Sequence, residues 1–145
     1  MYLMKEKIEA SQLVKKFCMM MKTQFRVSVK VIRSDTGKAF VSGPMLKFYE
    51  ESGIIHQISC VDTPQQNGRV ERKHRDILNV ARALRFQANL PLEFWEECVL
   101  TAAYLINRTP TLTLHGKTPY EILFKTRPTY DHIKVFGCLC YVHRF

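Results

Sequence analysis

Residues 26 to 32, RVSVKVI, place valines at 27, 29 and 31 with polar or basic side chains between them. β-Branched residues at a period of two suit one face of a pleated strand. The run therefore predicts a strand. Directly after it comes RSDTGKAF, in which a lone acid, Asp35, stands ahead of a glycine. A carboxylate at the end of a buried strand is either a solvated turn residue or a metal ligand. The remainder of the chain has to decide between them.

Around this strand the pattern alternates between helix and strand. Residues 3 to 21 read as an amphipathic helix, with Leu3, Ile8, Leu13, Val14 and Phe17 at roughly helical spacing. A short helix is expected at 43 to 52, opened by Gly43 and Pro44 and closed by Gly53. Residues 54 to 59, IIHQIS, read as a second strand, and CVDTPQQNG as a polar loop. From 67 to 87 the helical pattern is strong, with Val70, Ile77, Ala81, Leu84 and Ala88 on one face. A further helix is expected at 91 to 107, where Phe94, Trp95 and Tyr104 read as core packing. A shorter one at 118 to 124 has Thr118 as its cap and Pro119 in its first turn. The terminal run IKVFGCLCYVHRF, with Phe136, Cys138, Cys140 and Tyr141, reads as one strand. This order of elements indicates an α/β fold.

Charge narrows the partner. The chain has 145 residues, 46% of them hydrophobic, enough for one domain with a core. Its net charge is +9, from 22 Lys and Arg against 13 Asp and Glu. Such an excess suits a polyanion, against the alternative of a merely basic soluble protein. Between residues 69 and 85 six basic side chains, Arg69, Arg72, Lys73, Arg75, Arg82 and Arg85, meet two acids, Glu71 and Asp76. His74 on the same helix is expected on a partly buried face. No apolar run approaches the length of a membrane span. The five cysteines form no CxxC pair and are expected to be reduced, mostly buried thiols of an intracellular protein, with no zinc site.

Asp35 and Glu71 have 35 residues between them. One follows a strand, where α/β sheets place their sites. The other stands on a helix among arginines and lysines. Hard Mg²⁺ ions take carboxylate oxygens, and two ions about 3.5–4 Å apart can clamp both oxygens of an in-line displacement at phosphorus. The competing reading makes Asp35 a turn residue and pairs Glu71 with Arg75 at i+4. Arg75 itself is divided between that ion pair and a phosphate contact.

The strings VIRSDTGKAF, HQISCVDTPQQNGRVERKHR, ANLPLEFWEECVLTAAYLINRTP, GKTPYEILF and VFGCLCYV resemble successive blocks of the integrase of Ty1/copia-type retrotransposons. The resemblance runs from about residue 3 to the end, and TPQQNGRVERKHR is its most specific part. It implies a ribonuclease H-like three-layer fold with a D,D35E triad, in which Asp35 is the second aspartate and Glu71 the glutamate. It implies Mg²⁺ or Mn²⁺ on those two residues and DNA as partner. Gln65, Gln66, Asn67, Arg69, Arg72, Lys73 and Arg75 are then the DNA-binding candidates. It further implies oligomerisation and, for an intact relative, the nucleus.

Departures from that pattern shape the expectation. The triad's first aspartate has no counterpart here, since Asp35 is the first aspartate of the chain. The first strands of the core also lack counterparts. Asp62 lies in the loop before Glu71, but no feature marks it as a substitute. Thr36 and Ala39 stand where the family has polar or acidic residues. The expected architecture is an incomplete core over residues 1–110, then helices and a carboxyl-terminal strand, with 111–145 opening the post-core region. The expected function is that of an integrase fragment inactive alone. The alternative is a non-catalytic nucleic-acid-binding remnant or a repurposed structural fragment.

Overall fold

A computed structural model of the chain describes residues 1–60 and 68–141. They fall into two units, residues 2–71, and residues 72 onward together with Met1.

In the first unit two four-residue strands, β1 (Val31–Ser34) and β2 (Ile55–Ile58), pair in parallel, with Val31 opposite Ile55 and Ser34 opposite Ile58. Parallel neighbours need a crossover. Here it contains α2 (Lys38–Val41) and α3 (Gly43–Glu51). Pro44 lies in the first turn of α3, where its missing N–H has no helical partner to lose. Gly53 turns the chain into β2 at a φ of 64°, which glycine adopts without a Cβ penalty. Ahead of the sheet, α1 (Glu9–Phe25) carries an acid in its first turn and Lys22 in its last, matching the helix dipole. Met45, Tyr49 and Ile54 form the buried centre, with Val14 and Cys18 of α1, Ile32 of β1 and Phe48 packed on it. The sheet thus buries one face under α1 and α3, while Val31 and Ile55, of opposite parity, stay exposed.

In the second unit α4 (Gly68–Gln87), whose residues from Arg72 on belong here, packs on α5 (Trp95–Arg108). Ala81, Cys98, Val99 and Ala102 are buried, with Ile77, Val80, Leu84, Leu90, Trp95 and Phe136 against them. Asn89, at φ 48°, ends α4, and a 3-10 turn (Leu92–Phe94) leads into α5. Arg108 lies over two rings, 3.6 Å from the Tyr104 centroid and 4.7 Å from that of Tyr120. Tyr120 belongs to α6 (Pro119–Phe124), whose capping box has Glu121 N–H donating to Thr118 Oγ1 at 3.0 Å and Thr118 N–H to Glu121 Oε2 at 2.8 Å.

Several sequence expectations change. The first helix is Glu9–Phe25 rather than 3 to 21, and Leu3 and Ile8 are exposed. The strand expected over 26 to 32 is confined to Val31–Ser34. Arg26 is drawn into the left-handed cap of α1, with Val27 N–H reaching Met21 O at 3.1 Å, and the ladder extends only as far as β2. α2 was not anticipated. On α4 the buried stripe begins at Ile77, so Val70, expected on the apolar face, and His74, expected on a partly buried one, are both exposed. Of the expected Phe94, Trp95 and Tyr104 packing, Trp95 joins the core, Phe94 is exposed and Tyr104 stacks under Arg108. Up to Tyr141 the terminal run contains no strand. Cys138 N–H turns back to Val135 O at 3.2 Å, and Gly137 at φ 82° breaks the extended course. Cys98 is buried, but Cys60, Cys138 and Cys140 are exposed, against the expectation of mostly buried thiols.

Two buried polar groups generate stability predictions. The Tyr49 hydroxyl is buried with no hydrogen-bond partner among the described residues, and burial, then the charge of Cys18, push it above the usual phenol range. A buried unpaired hydroxyl destabilises. Tyr49→Phe is expected to raise stability by about 1 kcal/mol in urea unfolding, and unchanged or lower stability would show that the hydroxyl has a partner. At α6 the backbone N–H of Thr118, then its side chain, hold the Glu121 carboxyl below its usual range, with desolvation opposing and Arg127 and Lys117 adding. A carboxyl lowered on folding stabilises above its unfolded pKa of about 4.3, and that contribution is lost as pH falls through the folded value. Thr118→Ala is expected to cost about 1 kcal/mol at pH 7. The penalty should shrink in melts taken at progressively lower pH, as Glu121 protonates.

Candidate functional site

Ser34 closes β1, and its groups are all engaged. Its carbonyl accepts the Ser59 N–H at 3.0 Å and the Ser59 hydroxyl at 3.3 Å. Its own hydroxyl donates to Asp35 O at 2.8 Å and lies 2.9 Å from His56 Nε2, so the histidine nitrogen is the donor in that contact. The His56 ring stacks on Tyr49, with centroids 4.5 Å apart. Ser34, Ser59 and His56 therefore fasten the backbone that delivers Asp35 to the buried core. On the other face Arg33 reaches Gln57 Oε1 across the ladder at 2.8 Å.

Asp35 itself is exposed. Its Oδ1 accepts the Gly37 N–H at 3.1 Å, an Asx turn that starts α2. A Cβ on Gly37 would stand 2.9 Å from that oxygen, so glycine leaves room for the carboxylate. The turn reading and the ligand reading coexist: one oxygen is used locally and the other has no bond among the described residues. Asp35 also helps line an open groove of about 700 Å³ with Lys7, Lys38, Ile8 and Phe40, two cations and an apolar floor.

Glu71 lies in the first turn of α4, in the same unit as Asp35. It is exposed, and the ion pair with Arg75 does not form; among the described residues the ion pairs are Lys47–Glu51 and Arg127–Glu121. Arg69, Arg72, Lys73 and Arg75 are likewise exposed. Farther along α4 the cations serve the structure. Arg82 donates to Asn79 Oδ1 at 3.2 Å, and Arg85 donates to Leu90 O at 3.1 Å while covering Phe86. Gln65, Gln66, Asn67 and Asp62 lie outside the described residues.

Asp35 and Glu71 supply hard oxygen donors, the type Mg²⁺ takes. That ion is commonly held by one or two carboxylates with phosphate oxygens and water. Among the described residues no group of three His, Cys, Asp or Glu side chains could hold a metal ion. The donor chemistry fits Mg²⁺, and the set is partial. Sequence reasoning missed Ser34, His56 and Ser59. Their one signal was strand parity, which sets Ser34 and Ile32 on the same face. Lys7 and Lys38 carried no signal at all.

Bracing of this kind makes a test. Replacing His56 by leucine removes a hydrogen bond to Ser34 and a ring contact with Tyr49, and is expected to cost about 1–2 kcal/mol in urea unfolding. A loss within a few tenths would show that the Ser34 turn stands without it.

No family model matches the chain. It is 36% identical over 141 residues to the retrovirus-related Pol polyprotein from transposon RE1 of Arabidopsis thaliana, covering 97% of the chain and 10% of the relative. To that from transposon TNT 1-94 of Nicotiana tabacum it is 35% identical over 142 residues, covering 98% and 11%. The chain thus spans about a tenth of the length of these curated relatives. Among solved structures, the catalytic core domain of BIV integrase matches with a TM-score of 0.58 at 22% identity, over 86% of this chain and 74% of that one. The HTLV-2 integrase catalytic core domain, in complex with magnesium and in a trimeric form, also matches at 0.58 and 22%, over 81% and 71%. The fold resembles that of these integrase catalytic core domains.

Proposed function

We propose, for a chain homologous to the retrovirus-related Pol polyproteins of plant transposons and folded like an integrase catalytic core, that it is a fragment of an integrase catalytic domain that binds DNA and is inactive alone. The observation that supports this reading is that two exposed carboxylates, Asp35 at the end of β1 and Glu71 at the start of a basic helix, fall within one unit of a chain folded like an integrase core. Asp35 and Glu71 are the residues that would hold Mg²⁺ or Mn²⁺. The ion would polarise a phosphodiester and lower the pKa of an attacking hydroxyl.

The chain's own groups account for binding. Arg69, Arg72, Lys73 and Arg75 are exposed, with no ion-pair partner among the described residues, and Lys7 and Lys38 add cations beside Asp35. Gln65, Gln66 and Asn67, which precede α4 in the sequence, are proposed as further DNA-binding residues on the strength of the resemblance. Such contacts release counterions and carry no sequence information. Asp35 held by its Asx turn and Glu71 on a rigid helix are pre-positioned. Two carboxylates still fall short of the triad implied by the resemblance, and loss of one member of a catalytic unit commonly costs orders of magnitude in rate. A DNA-bound assembly in the nucleus, with further copies or further segments of the polyprotein, is the proposed setting.

Binding of this chain to DNA is expected to be weak, indifferent to sequence and steeply salt-dependent, with a slope of about −0.9 per phosphate contact. Arg72→Ala with Arg75→Ala should lower that slope by roughly one to two. Glu71→Gln should leave binding nearly unchanged, because no phosphate contact is lost. On a labelled DNA end with Mg²⁺ or Mn²⁺ no strand transfer is expected. Transfer by the parent chain that disappears in Glu71→Gln would overturn the reading of an inactive fragment. A salt slope untouched by the double alanine variant would overturn the DNA interface.

A further inference from the structure

Cys138 closes a turn that the second core holds in place, and Cys140 follows two residues on. Phe136 packs into that core, and Cys138 N–H closes the turn on Val135 O at 3.2 Å. Between them Gly137 sits at φ 82°, and a Cβ there would collide with the Cβ of Ala88. The turn is therefore seated tightly on the chain just beyond α4. Both thiols are exposed, and their Sγ atoms stand 4.0 Å apart. Cys140 Sγ also lies 3.4 Å from the Cys138 carbonyl oxygen.

We propose that Cys138 and Cys140 form a two-thiolate site for a soft monovalent cation, Cu(I), independent of the DNA-binding reading. Metal–sulfur bonds of about 2.3 Å set two thiolates on one ion about 3.8 Å apart at the tetrahedral angle and about 4.6 Å apart in a linear arrangement. The observed separation lies between these limits, so the pair closes on an ion with little movement of the turn. Thiolates are soft ligands that favour Cu(I). Zn²⁺ in structural sites takes four protein ligands, and among the described residues no group of three metal-binding side chains occurs. Cu(I) is satisfied by two sulfurs. It replaces the two thiol protons, which pass to solvent, and no electron is transferred.

The test is a competition for Cu(I) between the 145-residue chain and the chromophoric chelator bathocuproine disulfonate, without oxygen. The wild-type chain is expected to hold one Cu(I). Cys138→Ser and Cys140→Ser should each weaken it by at least about tenfold, as loss of a ligand costs no less than loss of its outer-shell support. Cys60→Ser, at an exposed cysteine outside the pair, should leave it unchanged. Copper-edge X-ray absorption on the loaded wild-type chain should show two sulfur neighbours, a readout that stands even if a serine variant unfolds. Copper held equally by both serine variants, equal loss in Cys60→Ser, a shell of nitrogen or oxygen only, or Zn²⁺ displacing Cu(I) would each overturn the site.

Discussion

Ser34 is the joint on which the candidate site turns. The parallel ladder between β1 and β2 has only four residue pairs, and neither strand has a second strand neighbour among the described residues. So short a ladder cannot hold an exposed carboxylate in place by itself. The hydrogen bonds that Ser34 accepts from Ser59 and His56 and donates to the Asp35 carbonyl supply what so short a ladder does not. Buried polar groups cost free energy when left unpaired, so any rearrangement of this turn that breaks the set is opposed.

Charge is divided in the same way, between groups that hold structure and groups left for a partner. Arg82, Arg85 and Arg108 are tied to neighbouring carbonyls, amides or rings. They rigidify α4 and α5 and offer little to a ligand. Arg69, Arg72, Lys73 and Arg75 crowd the start of α4 without carboxylate partners among the described residues, an arrangement that raises the local potential toward anions. The net charge of +9 therefore overstates the cations available, and their location matters more than their number.

Much of the element order was legible because its signals are local. Thr118 and Pro119 marked α6 by cap chemistry that depends on residues three apart, and the structure shows the full capping box. The α3 and α4 patterns likewise carry their own boundaries, in Pro44 and in the stripe from Ile77 to Leu84. The strand over 26 to 32 was only partly legible. Its valine alternation states what a strand would look like, whereas ladder length is set by the partner, and β2 is short. His74 and Val70 failed for a related reason: helical periodicity continues past the point where α5 stops covering α4.

By itself the sequence determined the strand–acid junction at Asp35, the 35-residue interval to Glu71, the clustering of basic residues after Asn67, and a specific likeness to integrase blocks. Each of these is written in neighbouring residues or fixed intervals, so no folding is needed to read it. Only the tertiary structure decided that Asp35 makes an Asx turn, that Glu71 is not paired with Arg75, and that His56 braces Ser34. It also decided that Cys138 and Cys140 face solvent 4.0 Å apart rather than alternating along a buried strand. Those outcomes depend on backbone turns at Gly37 and Gly137 and on which side chains other elements cover. The turns close through local hydrogen bonds, and the covering of side chains is set by contacts between residues distant in sequence.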